Sequence, residues 1–286
     1  MLRVLGLGDN VVDKYRTDRI MYPGGNALNF SVYAKHLHCH SAYMGVIGDD
    51  LPAWHIFSVL RELDIDISRT RVEAGENGFA EVEIRNGDRV FVGSNKGGVA
   101  KTHPIILNYI DDQYIKTFDL IHTSCFSYLD DFLPHISSLN PYLSYDFSTS
   151  FTAERCEKVC PYIFSAALSC SHLPDDEIDE LITSIQKFGC KIIIASKGMR
   201  GVSVAVGDLR INQNAIPIHI VDSMGAGDSL LTAFLVHSLE ILKRRADGKH
   251  PEDMEESKIR LALAAAVVFA TQNCMKHGSF GYGCQY

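Results

Sequence analysis

Asp222-Ser223-Met224-Gly225-Ala226-Gly227-Asp228-Ser229 is the stretch on which the rest of the chain turns. It follows a strand-like segment, Ile216 to Val221. It opens a helix-like one, Leu230 to Lys243, with Leu231, Phe234, Leu235, Leu239 and Leu242 at helical spacing. A glycine-rich turn at a helix start bares backbone N–H groups at the positive end of the helix dipole, a ready site for an anion and for phosphate above all. Asp228 lies two or three residues inside that turn. The expectation is a carboxylate held ionised and aimed at whatever the phosphate touches. Glycines and one aspartate so placed suggest phosphoryl transfer to a hydroxyl, with the aspartate taking the proton. The simpler alternative is a strand-to-helix turn with a capping aspartate.

Working outward, apolar segments alternate between strand and helix character. Arg3–Gly8, Ser41–Ile47, Leu120–Thr123, Tyr142–Asp146, Tyr162–Ala166 and Lys191–Ala195 read as strands. Ala27–Leu37, Pro52–Leu63, Asp130–Leu139, Ala153–Val159 and Pro174–Phe188 read as helices. Such alternation predicts an α/β fold, a mostly parallel sheet with helices on both faces and ligands at the carboxyl ends of its strands. The turn after Val221 is expected at that edge. Two segments, about 11–22 and 77–98, have strand character without helical partners. The second carries Asn86-Gly87-Asp88, a hairpin signal. Together they predict a small β-sheet lid inserted in a single domain spanning 1–286. The polar stretch Arg245 to Glu256 reads as a surface loop.

The 286 residues are 46% hydrophobic, enough for a sizeable core, and carry a net charge of −8 from 27 basic and 35 acidic residues. That balance argues against a nucleic-acid partner and suits an enzyme of small molecules. Met1 to Asp9 is too short an apolar run for a secretory signal and reads as a first core strand. Leu261 to Ala270, the longest apolar run, is half of what a membrane span needs. The expectation is a cytoplasmic protein with no membrane partner. Eight cysteines lack a zinc-like arrangement: Cys156 and Cys160 share a helix face without a second pair nearby. Buried thiols are the expectation.

Pro23-Gly24-Gly25-Asn26-Ala27-Leu28-Asn29 joins a turn to another helix start. Glycines there let a ligand approach the backbone, and asparagine amides suit polyol hydroxyls. Gly24 to Ser31, with Gly48 downstream, and Asp222 to Asp228 together resemble the two signatures of the PfkB, or ribokinase-like, family of carbohydrate kinases. Gly45 to Asp50 and Ser196-Lys197-Gly198-Met199-Arg200-Gly201 extend the resemblance over essentially the whole chain. Further stretches resemble the family's fructosamine kinases: Gly8 to Asp13, Asp64 to Ser68, Asn86 to Phe91, Tyr145 to Ser148 and Lys276-His277-Gly278.

The resemblance implies a three-layer ribokinase-like sandwich and transfer of the ATP γ-phosphoryl, with Mg²⁺, to a primary hydroxyl of a sugar, a fructosamine such as fructoselysine. It implies that Asp228 is the base and that Gly225, Ala226 and Gly227 are the anion hole. Asp13, Gly25 and Asn29 would hold sugar hydroxyls, with Asp9, Gly24 and Asn26 beside them. Ser196, Gly198 and Gly201 would hold the nucleotide, and Asp222 matches a monovalent-cation site of some members. A homodimer through the lid is a further expectation. Asp9 meeting the substrate amine and Arg89 its carboxylate are guesses from charge type, and Arg89 reads equally as a solvated hairpin residue.

The chain departs from the family at His38, where Gly or Ser is usual, and at Thr232, where a smaller residue is usual. The family's Asn-x-x-Glu motif for Mg²⁺ has no counterpart. Its region reads Ser169 to Glu177, whose three acidic residues either reach metal through water or form a helix's first turn. The competing readings are another sugar or nucleoside kinase of the family and a regulatory binding protein without turnover. A dinucleotide-dependent dehydrogenase is disfavoured, since no third glycine follows Gly6-Leu7-Gly8 at the fingerprint spacing.

Overall fold

The structure is a computed structural model that describes residues 1–85, 88–243 and 253–286. Its main sheet has eight strands in the order Leu209–Gln213, Val202–Val206, Ile192–Ser196, Ser165–Ser169, Leu143–Asp146, Leu120–Ser124, Arg3–Leu7 and His40–Met44. The six from Ile192–Ser196 onward are parallel, and the two at the other edge are antiparallel. Consecutive residues feed opposite faces. Val4 and Leu120 pack with Phe30, Phe234 and Leu263 of the helices Asn26–His36, Ala226–Lys243 and Glu256–Asn273. Leu5 and Ile121 pack with Ile136, Cys156 and Ile182 of the helices Leu133–Leu139, Ala153–Val159 and Asp175–Lys187. A sheet covered on both sides explains why its strands read as nearly unbroken apolar runs. The arrangement is a three-layer α/β sandwich.

The parallel register aligns the strand ends that matter. Asp146 lies opposite Ser124, and Ser169 opposite Ser196. At one edge of the sheet the apolar runs therefore stop together in polar residues.

A second sheet holds Cys284–Gln285, Ile20–Gly24, Val11–Tyr15, Phe79–Arg85 and Asp88–Ser94 in that order. Val12 and Met21 seat it on Ala27, Leu28 and Ile56. The two segments without helical partners thus pair with each other, as expected. Cys284–Gln285 joins them from the end of the chain and has no sequence signal of its own. The turn residues Asn86 and Gly87, the Arg89 side chain and most of the Arg245–Glu256 loop lie outside the described residues.

The strand expected at Ile216 to Val221 is corrected by the structure: this segment is irregular. Pro217 has no N–H for a ladder. Val221 and Asp222 instead donate their amides to the Cys274 carbonyl at the end of the helix Glu256–Asn273. The turn at 222–229 is therefore hung from a helix terminus, not carried by a sheet strand. Tyr162–Ala166 also shifts: Cys160–Tyr162 is a 3₁₀ turn, and the strand is Ser165–Ser169.

His38 has φ 62°, the left-handed conformation that closes the helix Asn26–His36, with Cys39 N bonded to Ala34 O and His38 N to Lys35 O. Glycine fits that position without a Cβ penalty, which is the physical sense of the family preference. His38→Gly is expected to raise stability by about 0.5–1 kcal/mol, less part of the backbone entropy glycine restores to the unfolded chain. Denaturant unfolding of the two proteins measures it, and a loss of stability would refute it.

Candidate active site

Gly225 has φ 70°, and a Cβ there would stand 2.2 Å from Tyr33 Oη, so this turn requires glycine. The first i→i−4 bond of the helix runs from Ser229 N to Gly225 O at 2.9 Å. The amides of Gly227 and Asp228 precede it, at the positive end of the dipole. Asp222 braces the turn. Its carboxylate accepts from Met224 N (2.9 Å), Gly278 N (2.9 Å) and Tyr15 Oη (2.6 Å). Tyr15 belongs to the small sheet, so Asp222 ties that sheet to the anion turn. These donors supply a structural role and add nothing to the cation reading.

Asp228 accepts from Asn29 Nδ2 at 2.7 Å, and the same amide donates to Ser279 Oγ at 3.2 Å. Thr232, the departure one turn on, bonds the Asp228 carbonyl through its hydroxyl at 2.7 Å. The expectation that the turn keeps Asp228 ionised meets opposition. Burial, then the Asp146 carboxyl, raise its pKa well above the usual carboxylate range. The Asn29 amide pulls the other way, and Asp9 and Asp13 add to the rise.

Asp146 had no assigned role in the sequence, and the structure places it beside Asp228. Its side chain hydrogen-bonds with those of Asn26 and Asp228, and it accepts from Ser148 N at 2.6 Å. Burial raises it to about 6, against the Ser148 amide. An aspartate ending a strand of a parallel sheet was the signal available for it.

Around these carboxyls stand the other acceptor-side residues. Asp13 is buried, and a Cβ on Gly24 would lie 2.7 Å from its Oδ2. Gly25 has φ 111°, with Asn10 Cα 2.7 Å from where its Cβ would be. Asp9 is used differently from expectation. Its carboxylate caps the helix at Asn26, accepting from Asn26 N (2.7 Å) and Ala27 N (3.2 Å), and also takes the hydroxyls of Ser124 (2.7 Å) and Ser127 (2.9 Å). Three of these donors fall on Oδ1 and one on Oδ2, so the carboxylate is engaged chiefly with the helix start and the two serines.

On the other side of the turn lies a cavity of about 950 Å³. Ser196, Gly198 and Gly201 line it with Ala226, Gly227 and Asp222, as do Ile216, Ile218 and Ile220 of the irregular segment. Gly201 has φ 93°, and a Cβ there would meet Gln213 O at 2.1 Å. The structure thus groups the expected site residues in two sets, acceptor side and cavity side, meeting at Ala226–Asp228.

The profile described as pfkB family carbohydrate kinase matches residues 6–137 and 163–279. The chain belongs to this family. It is 36% identical over 286 residues to the fructosamine kinase FrlD of Bacillus subtilis (strain 168), covering 100% of this chain and 95% of that protein. It is 26% identical over 229 residues to the fructoselysine 6-kinase of Escherichia coli (strain K12), covering 80% and 86%. Among solved structures, ribokinase from Giardia lamblia superposes with a TM-score of 0.81 at 15% identity, covering 99% of this chain and 96% of that one. Ribokinase from Arabidopsis thaliana, complexed with ribose and ATP, gives 0.77 at 18%, covering 98% and 95%. These likenesses show the ribokinase-like fold.

As a PfkB carbohydrate kinase the chain is a phosphotransferase. Its acidic run at 175–177 opens the helix Asp175–Lys187. Asp175 pairs with Arg200 and Lys197, and Arg200 also donates to the carbonyls of Cys170, Ser171 and Leu173. These contacts engage Asp175 and brace the cavity wall. Among the described residues no group of three His, Cys, Asp or Glu side chains is placed to hold a metal ion. The cysteines fit the buried-thiol expectation, with seven buried and Cys284 partly so. Among the described residues no helix is long and apolar enough to cross a membrane.

Proposed function

We propose that this kinase transfers the γ-phosphoryl of ATP to the 6-hydroxyl of a fructosamine, with fructoselysine as the type substrate. The observation that carries the reading is the placement of Asp228, in the first turn behind the glycine turn, between the acceptor residues and the cavity. The names of the relatives from Bacillus subtilis and Escherichia coli support the acceptor. The cavity is large enough for a nucleotide, with isoleucines for a base and a helix N-terminus for phosphates.

Asp13, Asn29 and the Gly24-Gly25 backbone would hold the sugar. Asp228 accepts the proton of the 6-hydroxyl as that oxygen bonds to the γ-phosphorus. The bond from phosphorus to the β–γ bridging oxygen breaks and ADP leaves. The amides at the start of the helix Ala226–Lys243 stabilise the charge on the phosphoryl oxygens. Mg²⁺ would arrive on the nucleotide phosphates. The small sheet would act as a lid over this edge. Its outer strand Asp88–Ser94 exposes Phe91, an edge suited to a dimer.

An assay of ADP formation with a panel of sugars, nucleosides and fructosamines tests the reading. Turnover confined to neutral sugars or nucleosides would replace it with the other family reading, and no turnover at all would favour a binding protein. On the acceptor side, Asp13→Ala is expected to raise the sugar KM by about 5- to 150-fold, the worth of roughly 1–3 kcal/mol for a desolvated hydrogen bond, and to leave the ATP KM nearly unchanged. Asn29→Ala should lower kcat as well, since its amide also holds Asp228. Calorimetry showing unchanged sugar binding in both variants would remove them from the pocket.

A further inference from the structure

Resting on the fructosamine reading, we infer that Asp146, together with the Asn29 side-chain oxygen, reads the secondary ammonium of the substrate and thereby sets the preference for fructosamines over neutral sugars.

Asp146 sits inside the acceptor site. It touches Asn26 on one side and Asp228 on the other, and it is 7% exposed. Asn29 is 3% exposed, and while its amide nitrogen bonds Asp228, its oxygen Oδ1 has no hydrogen-bond donor. A buried acceptor left without a donor is costly and calls for one from a ligand. Asp146 receives Ser148 N and the Asn26 side chain, which leaves acceptor capacity on its carboxylate. The site thus presents one anionic and one neutral acceptor, both beside Asp228.

A protonated secondary amine has two N–H donors, which match those two acceptors. In the five-membered ring form of a fructosamine, C1 and C6 hang from the two carbons that flank the ring oxygen. The ammonium on C1 and the 6-hydroxyl therefore leave the same side of the sugar. Adjacent carboxyls can take one each, Asp228 the hydroxyl and Asp146 the ammonium.

The charge has a second consequence. Burial raises both carboxyls, with the Asp9 carboxyl adding to the rise of Asp146 to about 6 and the Asp146 carboxyl adding to that of Asp228, so without a cation the pair tends to hold a proton. Asp9, Asp13, the Asn29 amide and the Tyr33 phenol also face Asp228, and none of these four is a cation. A substrate ammonium supplies the missing positive charge and leaves Asp228 ionised to accept the hydroxyl proton. A neutral sugar does not.

The test measures kcat and kcat/KM from pH 5.5 to 8 for fructoselysine, for its neutral counterpart acetylated on the C1-linked nitrogen, and for fructose, in the wild type and in Asp146→Asn. The wild type is expected to favour the ammonium substrate in kcat/KM, and its acid limb in kcat, which reports the enzyme–substrate complex, should lie at lower pH than with the neutral sugars. Asp146→Asn is expected to cut that preference about 30-fold or more, the lower end of what losing one member of a buried charge pair costs, chiefly through the KM of fructoselysine. It should also shift the acid limb for fructose to lower pH. A wild type that prefers fructose overturns the fructosamine reading and this inference with it. A wild type that prefers fructoselysine while Asp146→Asn retains the full preference overturns the inference alone. So do equal acid limbs of kcat for the charged and neutral substrates in the wild type, a result that does not depend on the variant folding.

Discussion

Asp228→Asn is expected to lower kcat by about 10²-fold or more, the usual size of a general-base contribution, with the ATP KM little changed. The side chain is nearly isosteric and its oxygen can still accept from Asn29 Nδ2. Stability should not fall. The folded-state pKa of Asp228 is raised, so its ionised form disfavours the folded state once pH exceeds the unfolded value of about 4. The destabilisation grows with pH up to the folded pKa. Removing the charge should therefore leave the melting temperature at pH 7–8 equal or higher, the pattern of a site that trades stability for function. In the wild type the same shift predicts an acid limb of kcat/KM well above the usual carboxylate range. Steady-state kinetics and melting curves at several pH values check both. Near wild-type turnover in the variant would displace Asp228 as the base.

The second large effect concerns the proposed lid. Replacing Phe79–Ser94 with a short Gly/Ser linker is expected to abolish sugar phosphorylation while slow sugar-independent ATP hydrolysis persists or rises. Closure over the site excludes water, and hydrolysis competes when it fails. The cut must spare Asn77 and Asn95. Asn77 accepts from Gly48 N and donates its own amide to Asp50, and Asn95 holds Phe79 N and the Asn77 carbonyl, so the two ends already meet. The two main cores contain no residue from the removed stretch. The pairs from Arg16 to Glu81 and Glu83 are largely solvent-exposed and worth little. The anion turn would keep its bonds from Met224 and Gly278 to Asp222. Tyr15 would remain on Asp222 but lose its strand neighbour Val82. Circular dichroism and paired assays of ADP and sugar phosphate decide. Global unfolding would make the hairpin part of the core, and full kinase activity would make it an ordinary surface hairpin.

What the sequence determined was what backbone torsion and short-range periodicity control. Gly225, Gly25 and Gly201 had to be glycine because each combines a positive φ with a neighbour where a Cβ would stand. The helix Ala153–Val159 was legible to the residue, and the parallel strands were legible as apolar runs buried on both faces. The glycine turn and the helix start behind it were readable because both are built from residues adjacent in the chain.

The tertiary structure decided where charge from distant segments converges. Asp9 became a cap for a helix that begins 17 residues later and a partner of Ser124, 115 residues away. Burial, then Asp146 from a strand and Asn29 from a helix, set the proton affinity of Asp228, which no local pattern can encode. Ile216 to Val221 reads as a strand by composition. Whether such a segment pairs with a sheet or hangs from a helix end depends on which backbone acceptors the fold leaves open, here the carbonyl of Cys274.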